Sequence, residues 1–364
     1  MAHFFAALLA LVQAATPTAP APLSLDARWV VTFDSTPAAP PGFDANTAYI
    51  PLKGGSLVAV ALDRGSIRWR LDVTTPFTPA TGEGLVFIVA EQAIEARDAQ
   101  TSAVRWRTAL EGGAAVPPHY DTGWLLASTP AGDLVAMRAS DGQVLWRRQL
   151  GAPLSGRPGP ALDRLYLPLA DNRLVSVLLA TGDIIWQRTL PARVTSLLAL
   201  DDQLVVGTAA KRLMSVDLRN GRERWGWTAG GDISGTPTAD DKRIYFAARD
   251  NVLRAVDRGN GNLRWKADLP SRPAGGPLRL PDALLMPMVS SEIQGYEPAT
   301  GKPATSVRAA GEVGSQPFFR ADAKLTSPQL ITVSREGQLQ GFGRRIEPLP
   351  QALPSPLIGA PALP

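Results

Sequence analysis

The sequence predicts an all-β fold, an eight-bladed β-propeller of four-stranded antiparallel blades. Three markers predict it: tryptophans, glycines and prolines each return at intervals of about 40 residues along the 364-residue chain. A period of that size means one supersecondary unit repeated. A unit that cannot bury both its faces must stack on its neighbours.

Trp29, Trp69, Trp106, Trp146, Trp186, Trp225 and Trp265 are separated by steps of 40, 37, 40, 40, 39 and 40 residues, and Thr305 holds the next position in phase. These seven are read as structural, rings that fill the space between blades, each burying on the order of 200 Å². Trp124 and Trp227 stand out of register. They read as gap-filling strand residues or, alternatively, as surface anchors for a partner.

A glycine stands four residues ahead of the marker at Gly65, Gly142, Gly182, Gly221, Gly261 and Gly301, with Ser102 in its place in one copy. Asp141-Gly142, Asn220-Gly221 and Asn260-Gly261 are hairpin signals, since glycine accepts positive φ cheaply. Upstream lies an alternating segment, Leu213-Met214-Ser215-Val216-Asp217 in one copy and Leu253-Arg254-Ala255-Val256-Asp257 in another. Its first position recurs eight times, from Leu57 to Leu339. Alternation with period two is a half-buried strand. Pro79, Pro117, Pro158, Pro237, Pro277 and Pro317 form the third series, with one copy missing near Leu198. Proline is tolerated where a strand begins. Each unit thus reads as a proline, three strands, a glycine hairpin and a tryptophan strand, which is a propeller blade.

The two ends of the chain are complementary. Trp29 marks a fourth strand with no three strands before it, and the last unit, from Pro317 to Phe342, has three strands and no fourth. Pairing them closes the ring and leaves no open seam. The propeller is placed at residues 25–343. Residues 1–15 are read as a signal peptide, because FFAALLALV at 4–12 is too short to span a bilayer and Ala14-Ala15 offers a cleavage site, although no Lys or Arg precedes it. Residues 16–24 are a Pro-rich linker and 344–364 a Pro-rich flexible tail.

Composition excludes several functions. There is no cysteine, which removes disulfide, thiolate and iron–sulfur chemistry. Only His3 and His119 offer imidazoles, too few for a histidine metal cage or a Ser-His-Asp triad. The formal charge of +4 has no dense basic block behind it, so no nucleic acid partner is expected. No catalytic, metal or cofactor-binding residue is assigned. Asp63, Asp98, Asp217 and Asp257 recur at a strand–turn position and read as turn caps. In a propeller the residues just before the prolines face one mouth of the central channel, which makes Arg157, Thr236 and Gln316 the candidate binding residues.

The unit Ala255-Val256-Asp257, Gly261, Trp265 resembles the repeat of pyrroloquinoline-quinone-type propellers, and the resemblance covers roughly residues 25–343. Its nearest branch is that of the BamB outer-membrane assembly propellers. That branch implies an exported, non-enzymatic scaffold in the periplasm or cell envelope, a monomer by itself. It implies protein partners: an outer-membrane barrel insertase and its unfolded clients, with peripheral membrane association. The branch's lipid-anchor cysteine has no counterpart here, so no lipid anchor is expected. The other branch, the quinone-dependent dehydrogenases, implies a vicinal cysteine pair and calcium-binding carboxylates, and the cysteines are missing. The competing readings are a small-ligand-binding or sensor propeller and, more remotely, a quinone-dependent dehydrogenase. No cofactor is expected.

Overall fold

The computed structural model describes residues 25–320 and 330–345. The expected signal peptide, the linker through residue 24 and the tail beyond 345 lie outside them. The described residues form eight four-stranded antiparallel sheets, seven of them ordered along the chain from the innermost strand outward. Blades 1 to 7 span 42–72, 80–109, 119–149, 159–189, 194–228, 233–268 and 278–308. Blade 8 joins Phe318–Phe319, Leu330–Val333 and Gln338–Arg344 to the chain's own beginning, Leu25–Thr32. That closing strand pairs from Leu25 opposite Arg344 to Thr32 opposite Gln338, so the ring is sealed as the markers predict.

The core lies between blades. Eight apolar clusters each draw on two neighbours. Leu126, Leu134 and Ala136 of blade 3 meet Leu165, Val175 and Val177 of blade 4, and Phe33, Ile331 and Leu339 of blade 8 meet Ile50 and Val58 of blade 1. The second and third strands are buried on both faces. The outermost are largely exposed.

Each marker tryptophan reaches into the next blade. Trp69, Trp106, Trp146, Trp186, Trp225 and Trp265 donate Nε1–H to the carbonyls of Ala99, Ala139, Leu179, Leu218, Arg258 and Pro298, at 2.8–3.2 Å. Apart from Trp69, whose following hairpin carries Ser102, the rings lie on the following hairpin glycine. A Cβ on Gly142 would stand 2.5 Å from Cε3 of Trp106. Trp29 is the exception, packed on Gly65 and Gly341 with its buried Nε1 unpartnered.

The one hairpin without glycine carries a cost. Ser102 holds φ at 62° ahead of Trp106, where its counterparts are glycines at similar angles. A side chain in the left-handed region costs about 1–2 kcal/mol, against which glycine loosens the unfolded chain by somewhat less. Ser102→Gly is expected to raise stability by about 0.5–1 kcal/mol in urea unfolding; a destabilised variant would contradict this account.

Two sequence expectations need correction. Pro118, not Pro117, precedes the innermost strand of blade 3, whose first residue is His119. Pro41 is a further copy, ahead of Gly42. In blade 6, Pro237 falls inside the strand Ile233–Ala239, at an irregularity between Ser234 and Thr238 where the missing N–H does no harm.

Candidate functional site

Two surfaces have the geometry to bind something: the ring of outermost strands and the channel. Every outermost strand carries a β-bulge at the residue before the marker. In blade 2, Ala96 pairs with Trp106 and Arg97 with Val104, leaving Arg105 unpaired. The same irregularity recurs in all eight blades. The bulged residues are Arg28, Arg68, Arg105, Leu145, Ile185, Arg224, Arg264 and Ala304. Bulges and charged side chains are how edge strands resist indiscriminate pairing. Blades 3 and 4 differ, because Leu145 and Ile185 replace the arginine and lie exposed beside exposed Val144 and Ile184. The column was readable in the sequence as the residue before each tryptophan, but nothing in periodicity says that this residue bulges.

The repeated aspartates serve the turns and these arginines. Asp98 takes a 2.6 Å hydrogen bond from Arg105 and accepts the N–H groups of Gln100 and Thr101. Arg105, then those amides, hold its carboxyl far below the usual range. Asp217 with Arg224 and Asp257 with Arg264 repeat the pattern at 2.9 and 2.5 Å, their carboxyls also lowered by the arginine first. Asp63 does not belong to this series. Ala61 occupies the equivalent position at the end of its strand, and Asp63 instead meets exposed Arg64. Among the described residues no three His, Cys, Asp or Glu side chains gather as metal ligands. With the aspartates committed to turns and no cysteine in the chain, the residues present do not fit a calcium–quinone group.

The channel holds a cavity of about 290 Å³ at the end where the chain enters the innermost strands. Its walls come from blades 1, 2, 3, 4 and 8, and Phe43 stacks on Phe318 across the seam with ring centroids 4.4 Å apart. Arg157 stands among its walls. Thr236 and Gln316 do not join it. Both flank the Gly275-Gly276 segment leading into blade 7, with the Thr236 carbonyl pressed against Gly276. The three candidates share a phase but not a site. His119 was missed as a channel residue. It pairs with Leu126, whose side chain faces blade 4, so the imidazole faces blade 4 too. Burial, then nearby Arg157, pushes its pKa down. Trp124 is half-buried against the blade 3–4 core. Trp227 packs edge-on to Phe246, under the guanidinium of Arg254 at 5.1 Å.

The profile described as outer membrane protein assembly factor BamB matches residues 53–199 and 198–328. The BamB of Yersinia pestis is 24% identical over 250 residues, which are 64% of this chain and 56% of that protein, so the chain spans little more than half the length of that relative. The crystal structure of BamB from Moraxella catarrhalis superposes with a TM-score of 0.66 at 16% identity, over 88% of this chain and 99% of that one. Quinohemoprotein alcohol dehydrogenase from Comamonas testosteroni superposes with a TM-score of 0.71 at 12% identity, over 89% and 78%. At such identities both structures show the fold alone. The profile, running from the second strand pair of blade 1 into blade 8, shows more: the chain is a pyrroloquinoline-quinone-type propeller belonging to the BamB family of outer membrane protein assembly factors.

Proposed function

We propose that this propeller is an exported, non-enzymatic scaffold of the cell envelope that binds protein partners during outer-membrane protein assembly. The observation that carries the reading is the family match from residue 53 to residue 328, which takes in blades 2 to 7 whole. The partners of this reading are a barrel insertase and its unfolded clients, met in the periplasm. The architecture supplies a physical means. Eight outward-facing strand edges offer backbone N–H and C=O groups to an extended chain, a mode that draws affinity from the main chain and selectivity from side chains. The bulge and its arginine blunt most edges; Leu145 and Ile185 leave blades 3 and 4 as the places where a strand with apolar residues gains contact area.

The test is fluorescence anisotropy with a labelled peptide copying one transmembrane strand of an outer-membrane barrel. Micromolar binding to the full chain is expected. The double variant Leu145→Arg, Ile185→Arg should weaken it by about tenfold, the equivalent of roughly 1.4 kcal/mol. Both positions are exposed, so folding should survive. Absence of binding at high micromolar peptide, or equal binding by the variant, would remove strand addition at these blades. Pull-down from detergent-solubilised outer membranes tests the wider reading, which recovery of no barrel insertase would overturn.

A further inference from the structure

We propose that the channel cavity beside Arg157 is a binding site for a small anion, a carboxylate or a phosphate. The lining contains one formal charge, and it is positive: Arg157, with no aspartate or glutamate among the wall residues. Elsewhere in this protein arginines are satisfied repeatedly, with some nineteen ion pairs drawn from the described residues, including Arg97 with Glu95 and Arg254 with Asp250. Among the described residues the Arg157 guanidinium has neither an acid within ion-pair distance nor a hydrogen bond. It is wetted by the channel, yet surrounded closely enough that desolvation lowers its pKa.

A second donor shares the cavity. The Nε2 of His119 is enclosed and has no hydrogen-bond partner, a state that leaves desolvation uncompensated. The depressed pKa keeps this imidazole neutral at physiological pH, so with its proton on Nε2 it donates without adding a second charge. Arg157 is near enough to perturb the imidazole, so an anion held by the guanidinium would satisfy both groups if the ring turns its enclosed Nε2 to meet it. Guanidinium provides the paired N–H groups that match carboxylate or phosphate oxygens. The remaining wall includes the rings of Phe43, Phe318 and Tyr120 and the threonines Thr78 and Thr81. Thr81 already donates to the Phe43 carbonyl. The site therefore accepts an anion through Arg157 and His119 and offers rings to whatever carries it.

This inference does not rest on strand addition, which uses the opposite edge of each blade, so either can fail alone. The test titrates full-length protein, labelled with ¹⁵N at arginine and histidine side chains, at constant ionic strength. The probes are acetate, inorganic phosphate, and a short peptide with a free or an amidated C-terminus. Saturable shifts of the Arg157 Nε and His119 resonances are expected, lost in Arg157→Gln and weakened about tenfold or less in Arg157→Lys, which keeps the charge but not the fork. Arg193→Gln, an exposed change outside the cavity walls, should leave them unchanged. Response to acetate and the free-terminus peptide assigns a carboxylate source; response to phosphate alone assigns phosphate. No saturable shift with any probe, or shifts that persist in Arg157→Gln with the fold intact, would overturn the site.

Discussion

Removing residues 25–34 is expected to abolish the single cooperative unfolding transition and leave a chain that aggregates on mild heating. The closing strand contributes Trp29, Val31 and Phe33 to the cluster between blades 8 and 1, where Ile50, Val60, Ile331 and Leu339 are all fully buried. Phe33 is buried and Trp29 and Val31 are half-buried; fully burying a large apolar side chain is worth roughly 1.5–3 kcal/mol, so the three together, each discounted for its exposure, are a sizeable part of the stability of a typical domain, about 5–15 kcal/mol. The strand also satisfies the edge of Gln338–Arg344 through seven paired positions. Without it that edge becomes a template for pairing with other chains. Calorimetry of the deletion should show a broad, low-enthalpy transition, and a synthetic peptide copying residues 25–34, added in excess, should restore a sharper one. A deletion variant melting within a few degrees of the parent would mean that blade 8 is held without its fourth strand.

The ring was legible because its period is mechanically enforced. Trp106 must land on Gly142, Trp146 on Gly182 and Trp225 on Gly261, which fixes a separation of 36 residues in each case and ties a marker in one blade to a different marker in the next. The two ends were legible for the same reason, since a tryptophan strand without a blade and a blade without a tryptophan strand have one economical solution. The binding surface was far less legible. Arg157, Thr236 and Gln316 occupy one phase of the repeat, but phase fixes only the height in the ring. Arg157 lines the cavity while the other two lie around Gly275-Gly276, because identical phases in different blades point toward different neighbours. His119 was hidden by Pro117-Pro118, where choosing the wrong proline shifts the strand by one residue and turns every side chain to the opposite face.

Gly261→Ala is expected to cost about 4 kcal/mol, far more than a left-handed alanine alone, which costs about 1–2 kcal/mol. Gly261 has φ of +74°, and a Cβ there would stand 2.5 and 2.7 Å from Cε3 and Cδ2 of Trp225. The ring is only 8% exposed and is packed among Val205, Leu213 and Phe246, so it cannot retreat without opening the blade 5–6 core or losing its hydrogen bond to the Arg258 carbonyl. Gly84 is the control, since its φ is +71° and a Cβ there meets nothing within 4 Å; Gly84→Ala should cost only the backbone strain. A double-mutant cycle then separates the two contributions. In a Trp225→Ala background the ring is gone, and Gly261→Ala should fall to the cost of Gly84→Ala, with a coupling energy of about 2–3 kcal/mol in urea or guanidinium unfolding. If Gly261→Ala is no more damaging than Gly84→Ala in the parent, the glycine is needed for its turn alone, and the ring contact does not set the repeat.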